Sequence, residues 1–148
     1  NISDTSFAPM LDFAELDLPS SFRPVLKSFR KPMPIQAQGW PVVLSGRDVI
    51  GVAETGSGKT LAFVLPTIKR LQSEGLLGST ILTRGPLAAI LAPSRELAAQ
   101  IFDVVKKCTL VNNMRCGILF GGINKHRQTK LFKNGTHIVV TSPGRLLE

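Results

Sequence analysis

Hydrophobic and polar positions along this chain change period several times, and each change predicts an element. Asp48 to Ala53 carries the run Val-Ile-Gly-Val-Ala, the pattern of a short buried strand, and leads straight into a glycine-rich turn. Leu87 to Ala92 is apolar throughout and predicts a second buried strand; Arg115–Phe120 and His137–Thr141 predict two more. Between them the period lengthens. Lys59 to about Leu71 reads as a helix in spite of Pro66. Ser94 caps another, with Leu97, Ile101, Val104, Val105 and Cys108 in an i, i+4, i+7, i+8, i+11 stripe. A short basic helix near Asn124–Lys133 separates the last two strands, and Gln72–Pro86 reads as a loop.

The first 17 residues are polar, acidic and irregular, with one notable aromatic at Phe13. A helix is expected from Ser20 to Phe29, its first turn set by Pro24. Pro32 and Pro34 interrupt the chain, and Pro34 opens a second helix through Gln36 to Leu44, which Pro41 is expected to kink or end. The alternation of strands and helices predicts an α/β fold, a parallel sheet with helices on both faces. A single domain is expected over 1–148: a flanking segment 1–17, helices in 18–44, and an α/β core from 45 to 148.

Composition narrows the class. The chain has 148 residues and 43% hydrophobic content, ordinary for a globular protein. No apolar run approaches the roughly 20 residues of a membrane span. No basic leader precedes an apolar core, so no signal peptide is expected, and with Asn1 in first place the natural start is expected upstream. Cys108 and Cys116 lie in no C-x-x-C pair and near no His at metal spacing; they read as small thiols in a reducing compartment. His126 and His137 read as surface or strand-end residues, and Glu96 as a helix-first-turn acid.

The net charge of +8 is unevenly spread. Asp4, Asp12, Glu15 and Asp17 precede the first base. From Val104 to Leu147 the chain carries Lys106, Lys107, Arg115, Lys125, Arg127, Lys130, Lys133 and Arg145 and no acid. A solvated basic face and a surface that neutralises a polyanion fit this equally.

The sharpest chemistry lies in Ala53-Glu54-Thr55-Gly56-Ser57-Gly58-Lys59-Thr60. This is a phosphate-binding P-loop with Ala for the usual first Gly, set between an apolar strand and a helix. Gly56 and Gly58 permit a tight turn whose N–H groups face phosphates. Lys59 is placed for the β- and γ-phosphates, and the Thr60 hydroxyl for Mg²⁺. The helix beginning near Lys59 adds its positive end. Kinases, GTPases, motor ATPases and helicases share this loop, so by itself it leaves the use of the triphosphate open.

Three further segments and a glycine doublet resemble one family. Ser28-Phe29-Arg30-Lys31-Pro32-Met33-Pro34-Ile35-Gln36 resembles the Q motif of DEAD-box RNA helicases. Pro93-Ser94-Arg95-Glu96-Leu97-Ala98 resembles their motif Ia, Ser142-Pro143-Gly144-Arg145 their motif Ib, and Gly121-Gly122 their GG doublet. With the P-loop these stand in the family's order and cover the chain from Phe13 onward. The resemblance implies a RecA-like P-loop NTPase fold, ATP and Mg²⁺ as cofactors and RNA as partner. It implies that Gln36 reads the adenine edge, that Phe13 stacks on the base with Lys31 beside it, and that Thr55, Gly56, Ser57, Gly58, Lys59 and Thr60 hold the phosphates. It implies that Pro93, Arg95, Gly121, Gly122, Ser142, Pro143, Gly144 and Arg145 hold the RNA backbone, with little sequence preference.

Ser94 and Ser142 stand where the family usually has Thr. No Asp-Glu-Ala-Asp occurs in the 148 residues, nor the Ser-Ala-Thr segment or a second RecA-like lobe. The chain is therefore expected to be a C-terminally incomplete first lobe, of reduced stability, that holds nucleotide without hydrolysing it or unwinding RNA. An ATP-gated RNA clamp or scaffold is the alternative for the whole protein; a nucleoside kinase or GTPase predicts no role for Gln36. The expected compartment is intracellular: nucleus, nucleolus or cytoplasm.

Overall fold

The computed structural model describes residues 6–27, 29–76, 85–122, 126, 128 and 135–147. They fall into two compact units, Asn1–Arg70 and Leu71–Glu148. None of the described helices is long and apolar enough to cross a membrane.

The first unit is helical. Phe13–Leu16 forms one 3-10 turn where an irregular segment was expected. Asp12 caps it by accepting from the Ala14 N–H at 2.8 Å, while Glu15 reaches back to the Asp12 N–H at 2.9 Å, a reciprocal capping box. Asp17 ends the turn in the left-handed conformation at φ 47°, and Lys69 holds it through both its carbonyl and its carboxylate. Ser20–Phe22 is a second 3-10 turn leading into α1, Arg23–Leu26, with Pro24 in its first turn as expected. The predicted helix stops short of Phe29.

Helix α2 is Pro34–Leu44 and runs through Pro41, which was expected to kink or end it. Proline removes the N–H that would bond the carbonyl four residues back, here that of Ala37. That carbonyl accepts instead from the Met10 N–H at 2.9 Å, so the group that usually makes an interior proline costly is satisfied. Helix α3, Lys59–Ser73, likewise continues past Pro66. Trp40, Val64, Leu65 and Ile68 are fully buried.

The segment 48–53 is not a strand. Ile50 and Val52 are 96% and 92% exposed, and no described residue pairs with their backbone in a ladder. An apolar run shows that a segment suits burial on both faces; it becomes a strand only when a neighbour takes its N–H and C=O groups.

The second unit holds a parallel sheet in the order β1-β3-β2, with β1 Ala88–Leu91, β2 Cys116–Leu119 and β3 Ile138–Thr141. These match three of the four predicted strands. The central β3 is buried at every position. Strand β1, expected buried, alternates half-buried and exposed because it pairs on one side only among the described residues. Ile138, Val139, Val140 and Thr141 stand level with Ala88–Leu91 on one side and Cys116–Leu119 on the other.

Helix α4, Arg95–Leu110, packs on β2 and β3. The Ser94 Oγ caps it, accepting from the Leu97 N–H at 3.2 Å. Its buried face is Ala98, Ile101, Val105 and Cys108, spaced three, four and three. Leu97 was expected on this face but points outward at 39% exposure, since the small Ala98, one position on, turns to the sheet. Burying Ile101 and Val105 contributes about 1.5–3 kcal/mol each. Cys108 is a free thiol that burial pushes up to about 11. Helix α5, Pro143–Leu146, follows β3. Of the basic helix predicted near Asn124–Lys133, His126 and Gln128 are helical; the rest lies outside the described residues.

Candidate functional site

In the first unit the glycine-rich loop has the backbone its sequence requires. Gly56 and Gly58 sit at φ 81° and 83°, values an L side chain rarely adopts. A hydrogen bond from the Ser57 N–H to the Glu54 carbonyl at 3.3 Å closes the turn, and α3 begins at Lys59. The Lys59 ammonium folds back onto the carbonyls of Ala53 and Glu54, contacts a phosphate would replace. The Ser57 Oγ is buried with no hydrogen-bond partner. An unpaired buried hydroxyl in a loop that opens a helix and carries an ammonium suits an anionic oxygen. The residues present therefore fit a polyphosphate.

Gln36 is fully buried and spans two elements. Its Oε1 accepts from the Met33 N–H at 2.9 Å, which helps to cap α2. Its Nε2 donates to the Gly58 carbonyl at 3.0 Å. A Cβ on Gly58 would lie 2.4 Å from that nitrogen, so close approach as well as φ demands glycine there. A carboxamide has two N–H groups and two acceptor lone pairs. These two bonds leave Gln36 one of each.

Phe13 is half-buried, its ring 5.7 Å from that of Trp40 and 6.4 Å from that of Phe29, both tilted. Trp40 lies one turn beyond Gln36 on the same face of α2, and the Phe13 ring lies against it. Lys31 is exposed and lines an open cavity of about 990 Å³ with Pro34, Gln38, Arg47 and Ile50. That cavity reaches Ala53 at the start of the phosphate loop but includes neither Phe13 nor Gln36 nor residues 54–60. Thr55 is exposed and Thr60 half-buried. No cluster of three or more His, Cys, Asp or Glu side chains suited to a metal occurs among the described residues.

In the second unit, strand register assembles the other candidates. Leu91, Thr141 and Leu119 stand side by side at the ends of three parallel strands. Pro93–Arg95, Ser142–Arg145 and Gly121–Gly122 therefore emerge along one edge, where open parallel sheets bind ligands. The Ser142 N–H continues the ladder to the Leu119 carbonyl at 3.3 Å. The Arg95 guanidinium lies over the glycine pair. A Cβ on Gly122 would stand 2.8 Å from its Nη1, one on Gly121 3.4 Å from Nη2, and Gly122 has φ 89°. Pro143 and Gly144 are exposed, and a Cβ on Gly144 would meet nothing within 4 Å.

Gln128 was not singled out in the sequence. It is buried, donates from Nε2 to the Phe120 carbonyl at 3.0 Å and accepts from the Arg145 Nε at 3.3 Å. It thereby braces Arg145 against the backbone just before the glycine pair. An isolated Gln in a basic stretch carries no periodic signal that would have found it. His137, also buried, is a strand-end residue as expected: its Nδ1 accepts from the Arg115 N–H at 2.9 Å. Burial, helped by the nearby Arg115 charge, holds its pKa below the usual histidine value.

Comparison with known proteins follows the same lines. The family model described as DEAD/DEAH box helicase matches residues 33–148. A protein of Eremothecium gossypii named ATP-dependent RNA helicase DBP3 is 45% identical over 142 residues, covering 96% of this chain and 25% of that protein. DEAD-box ATP-dependent RNA helicase 30 of Arabidopsis thaliana is 42% identical, covering 95% and 24%. The chain thus spans about a quarter of the curated relatives it matches. Among solved structures, the yeast DEAD-box splicing factor Prp28 superposes with a TM-score of 0.85 at 32% identity, over 97% of this chain and 35% of that one. Prp28 from Chaetomium thermophilum bound to ADP gives 0.82 at 35%, over 98% and 35%.

Proposed function

The chain belongs to the DEAD/DEAH box helicase family, and on that footing we propose that it forms part of the first lobe of an ATP-dependent RNA helicase. Its fold is the RecA-like parallel α/β arrangement of its structural neighbours. The observation that carries the nucleotide reading is the bond from the Gln36 carboxamide to the Gly58 carbonyl. A group able to recognise an adenine edge is thereby attached to the loop that cradles phosphates.

In this reading Phe13 offers a face for the base, and Gln36 reads its edge with the remaining N–H and lone pair. Lys59 exchanges the Ala53 and Glu54 carbonyls for phosphate oxygens, and the Ser57 hydroxyl and Thr55–Gly58 backbone complete the cradle. The Thr60 hydroxyl is a ligand for Mg²⁺, which when bound neutralises charge on the phosphates. Lys31, next to the Pro32–Gln36 turn in sequence, is assigned to the surroundings of the base by family resemblance alone, since the hollow it lines holds neither Phe13 nor Gln36. Arg95, Gly121, Gly122 and Arg145, with Pro93, Ser142, Pro143 and Gly144 around them, receive the sugar-phosphate backbone of RNA. Three strand ends at one sheet edge, two guanidinium groups and glycine backbone open to close approach support that assignment.

The acids that position an attacking water are absent from these 148 residues. Alone they should hold adenine nucleotide without cutting it, hydrolysis and strand separation requiring the whole protein and a second lobe. Such an enzyme works where its RNA is, in the nucleus, nucleolus or cytoplasm.

The test is the ATPase rate of the full-length protein with and without single-stranded RNA, together with displacement of a short duplex. RNA-stimulated hydrolysis with displacement is expected. ATP-dependent RNA retention without displacement would mark a clamp, and equal affinity for ADP and GDP, unchanged in Gln36→Ala, would overturn the adenine assignment.

A further inference from the structure

Pro41 lies in the interior of α2, where a helix former such as Ala would be favoured by its propensity. Its consequence is local and specific. Proline has no N–H, so the Ala37 carbonyl, which residue 41 would otherwise claim, is left without that helical donor. The Met10 N–H bonds this carbonyl at 2.9 Å. Two further contacts hold the same stretch. The Gln38 Nε2 donates to the Phe7 carbonyl at 3.3 Å, and the Arg47 guanidinium stacks 5.3 Å from the centre of the Phe7 ring. Beyond Met10 the chain enters the Asp12-capped turn, and Asp17 is held by Lys69 at 2.8 Å. Residues 7–17 thus form a strap held at both ends, with Phe13 between the two anchors. A side chain set by a strap inherits its position from the strap's attachment points.

We propose that Pro41 is a positioning residue for the nucleotide base. By withholding one N–H it opens the Ala37 carbonyl to Met10, and this bond fixes the strap so that the Phe13 ring stands against Trp40 beside Gln36. The proposal rests on the adenine reading above for its consequence but not for the tether itself, and the two are separable by experiment.

An alanine at 41 restores the missing helical donor. The Ala37 carbonyl is then shared between the helical N–H and the Met10 N–H, and the competition weakens the Met10 bond. The helix itself gains propensity, so Pro41→Ala is not expected to unfold the protein. In the full-length protein, hydrogen exchange of the Met10 amide should quicken about tenfold in Pro41→Ala, the order expected for one lost hydrogen bond. Amides of Leu65 and Ile68 should keep their rates. Trp40, the only tryptophan of these 148 residues, reports the same change, because loss of the Phe13 contact alters its fluorescence.

The binding arm compares ADP with inorganic tripolyphosphate, which engages the loop but has no base to stack. Pro41→Ala should weaken ADP severalfold and leave tripolyphosphate unchanged, a split that general destabilisation would not produce. Phe13→Ala should do the same, and the double variant should lose no more than either single one. Unchanged Met10 exchange in Pro41→Ala overturns the tether. Quickened exchange with ADP affinity intact, in a protein whose Phe13→Ala variant does lose affinity, overturns the positioning role. If Phe13→Ala itself binds ADP normally, the stacking assignment fails and the role of Pro41 in base binding fails with it, while Met10 exchange still decides the tether.

Discussion

The Gln36 Nε2 donates to the Gly58 carbonyl at 3.0 Å, and that carbonyl also accepts the first helical bond of α3, from the Ala62 N–H at 3.2 Å. Two helices distant in sequence therefore share one acceptor at the mouth of the phosphate loop. A buried carbonyl with two donors is well held, so the loop's last glycine has little freedom while Gln36 stays in place. The same carboxamide caps α2 through Met33. Base recognition and loop geometry are coupled by one side chain.

Gln36→Glu isolates that coupling. The carboxylate still accepts from Met33 but presents an acceptor, rather than a donor, to the Gly58 carbonyl. The variant should lose adenine nucleotide affinity by at least tenfold, corresponding to about 1.5–3 kcal/mol for a buried polar group left facing a like partner. Unlike the loss in Phe13→Ala, this one should extend to inorganic tripolyphosphate. Isothermal titration of both ligands checks it, and normal tripolyphosphate binding would show that the loop does not depend on Gln36.

The two loop glycines should differ in their tolerance. Gly56→Ala meets no atom within 4 Å and bears only the cost of positive φ, about 1–2 kcal/mol. Gly58→Ala bears that cost and also displaces the Gln36 amide. Chemical denaturation should find Gly58→Ala the less stable, and combining it with Gln36→Ala should be less than additive because both break one contact.

Arg95 should behave as a phosphate contact. Arg95→Ala is expected to weaken single-stranded RNA binding by the full-length protein across unrelated sequences and to reduce the slope of log affinity against log salt by about 1. Gly122→Ala, which pushes a Cβ to within 2.8 Å of the Arg95 Nη1, should weaken binding with all charges retained. An unchanged salt slope in Arg95→Ala would remove it from the interface.

His137 should make folding sensitive to mild acid. Its folded pKa lies below the ordinary 6.5, first because it is buried and then because Arg115 is near. Below 6.5 the unfolded chain takes up a proton that the folded chain resists, so stability is full above 6.5 and falls as pH drops toward the folded pKa. Protonation of Nδ1 would also end its acceptance from the Arg115 N–H. Denaturation midpoints between pH 7 and 5 should fall in the native protein and fall less steeply in His137→Gln.

Much of this was legible in the sequence because it depends on local rules. Pro34 in first place and Gln36 at the third position specify the start of α2, and Gly56 and Gly58 demand a turn that only glycine makes easily. The apolar runs at β2 and β3 and the Ile101–Val105–Cys108 face of α4 follow from period alone. Motif order pointed to the family before any coordinate did.

What the tertiary structure decided was every relationship that requires a second segment. Residues 48–53 have a strand's sequence and no strand's partner among the described residues, and Leu97 is apolar yet yields its place on the buried face to Ala98. Pro41 looked like a helix breaker until Met10 met the carbonyl it leaves open. Register alone lines up Leu91, Thr141 and Leu119, and so brings Arg95, Gly122 and Arg145 to one edge. Local conformation follows from each residue's own sterics and hydrogen-bonding groups. A pairing is a property of two segments at once, and neither segment carries it alone.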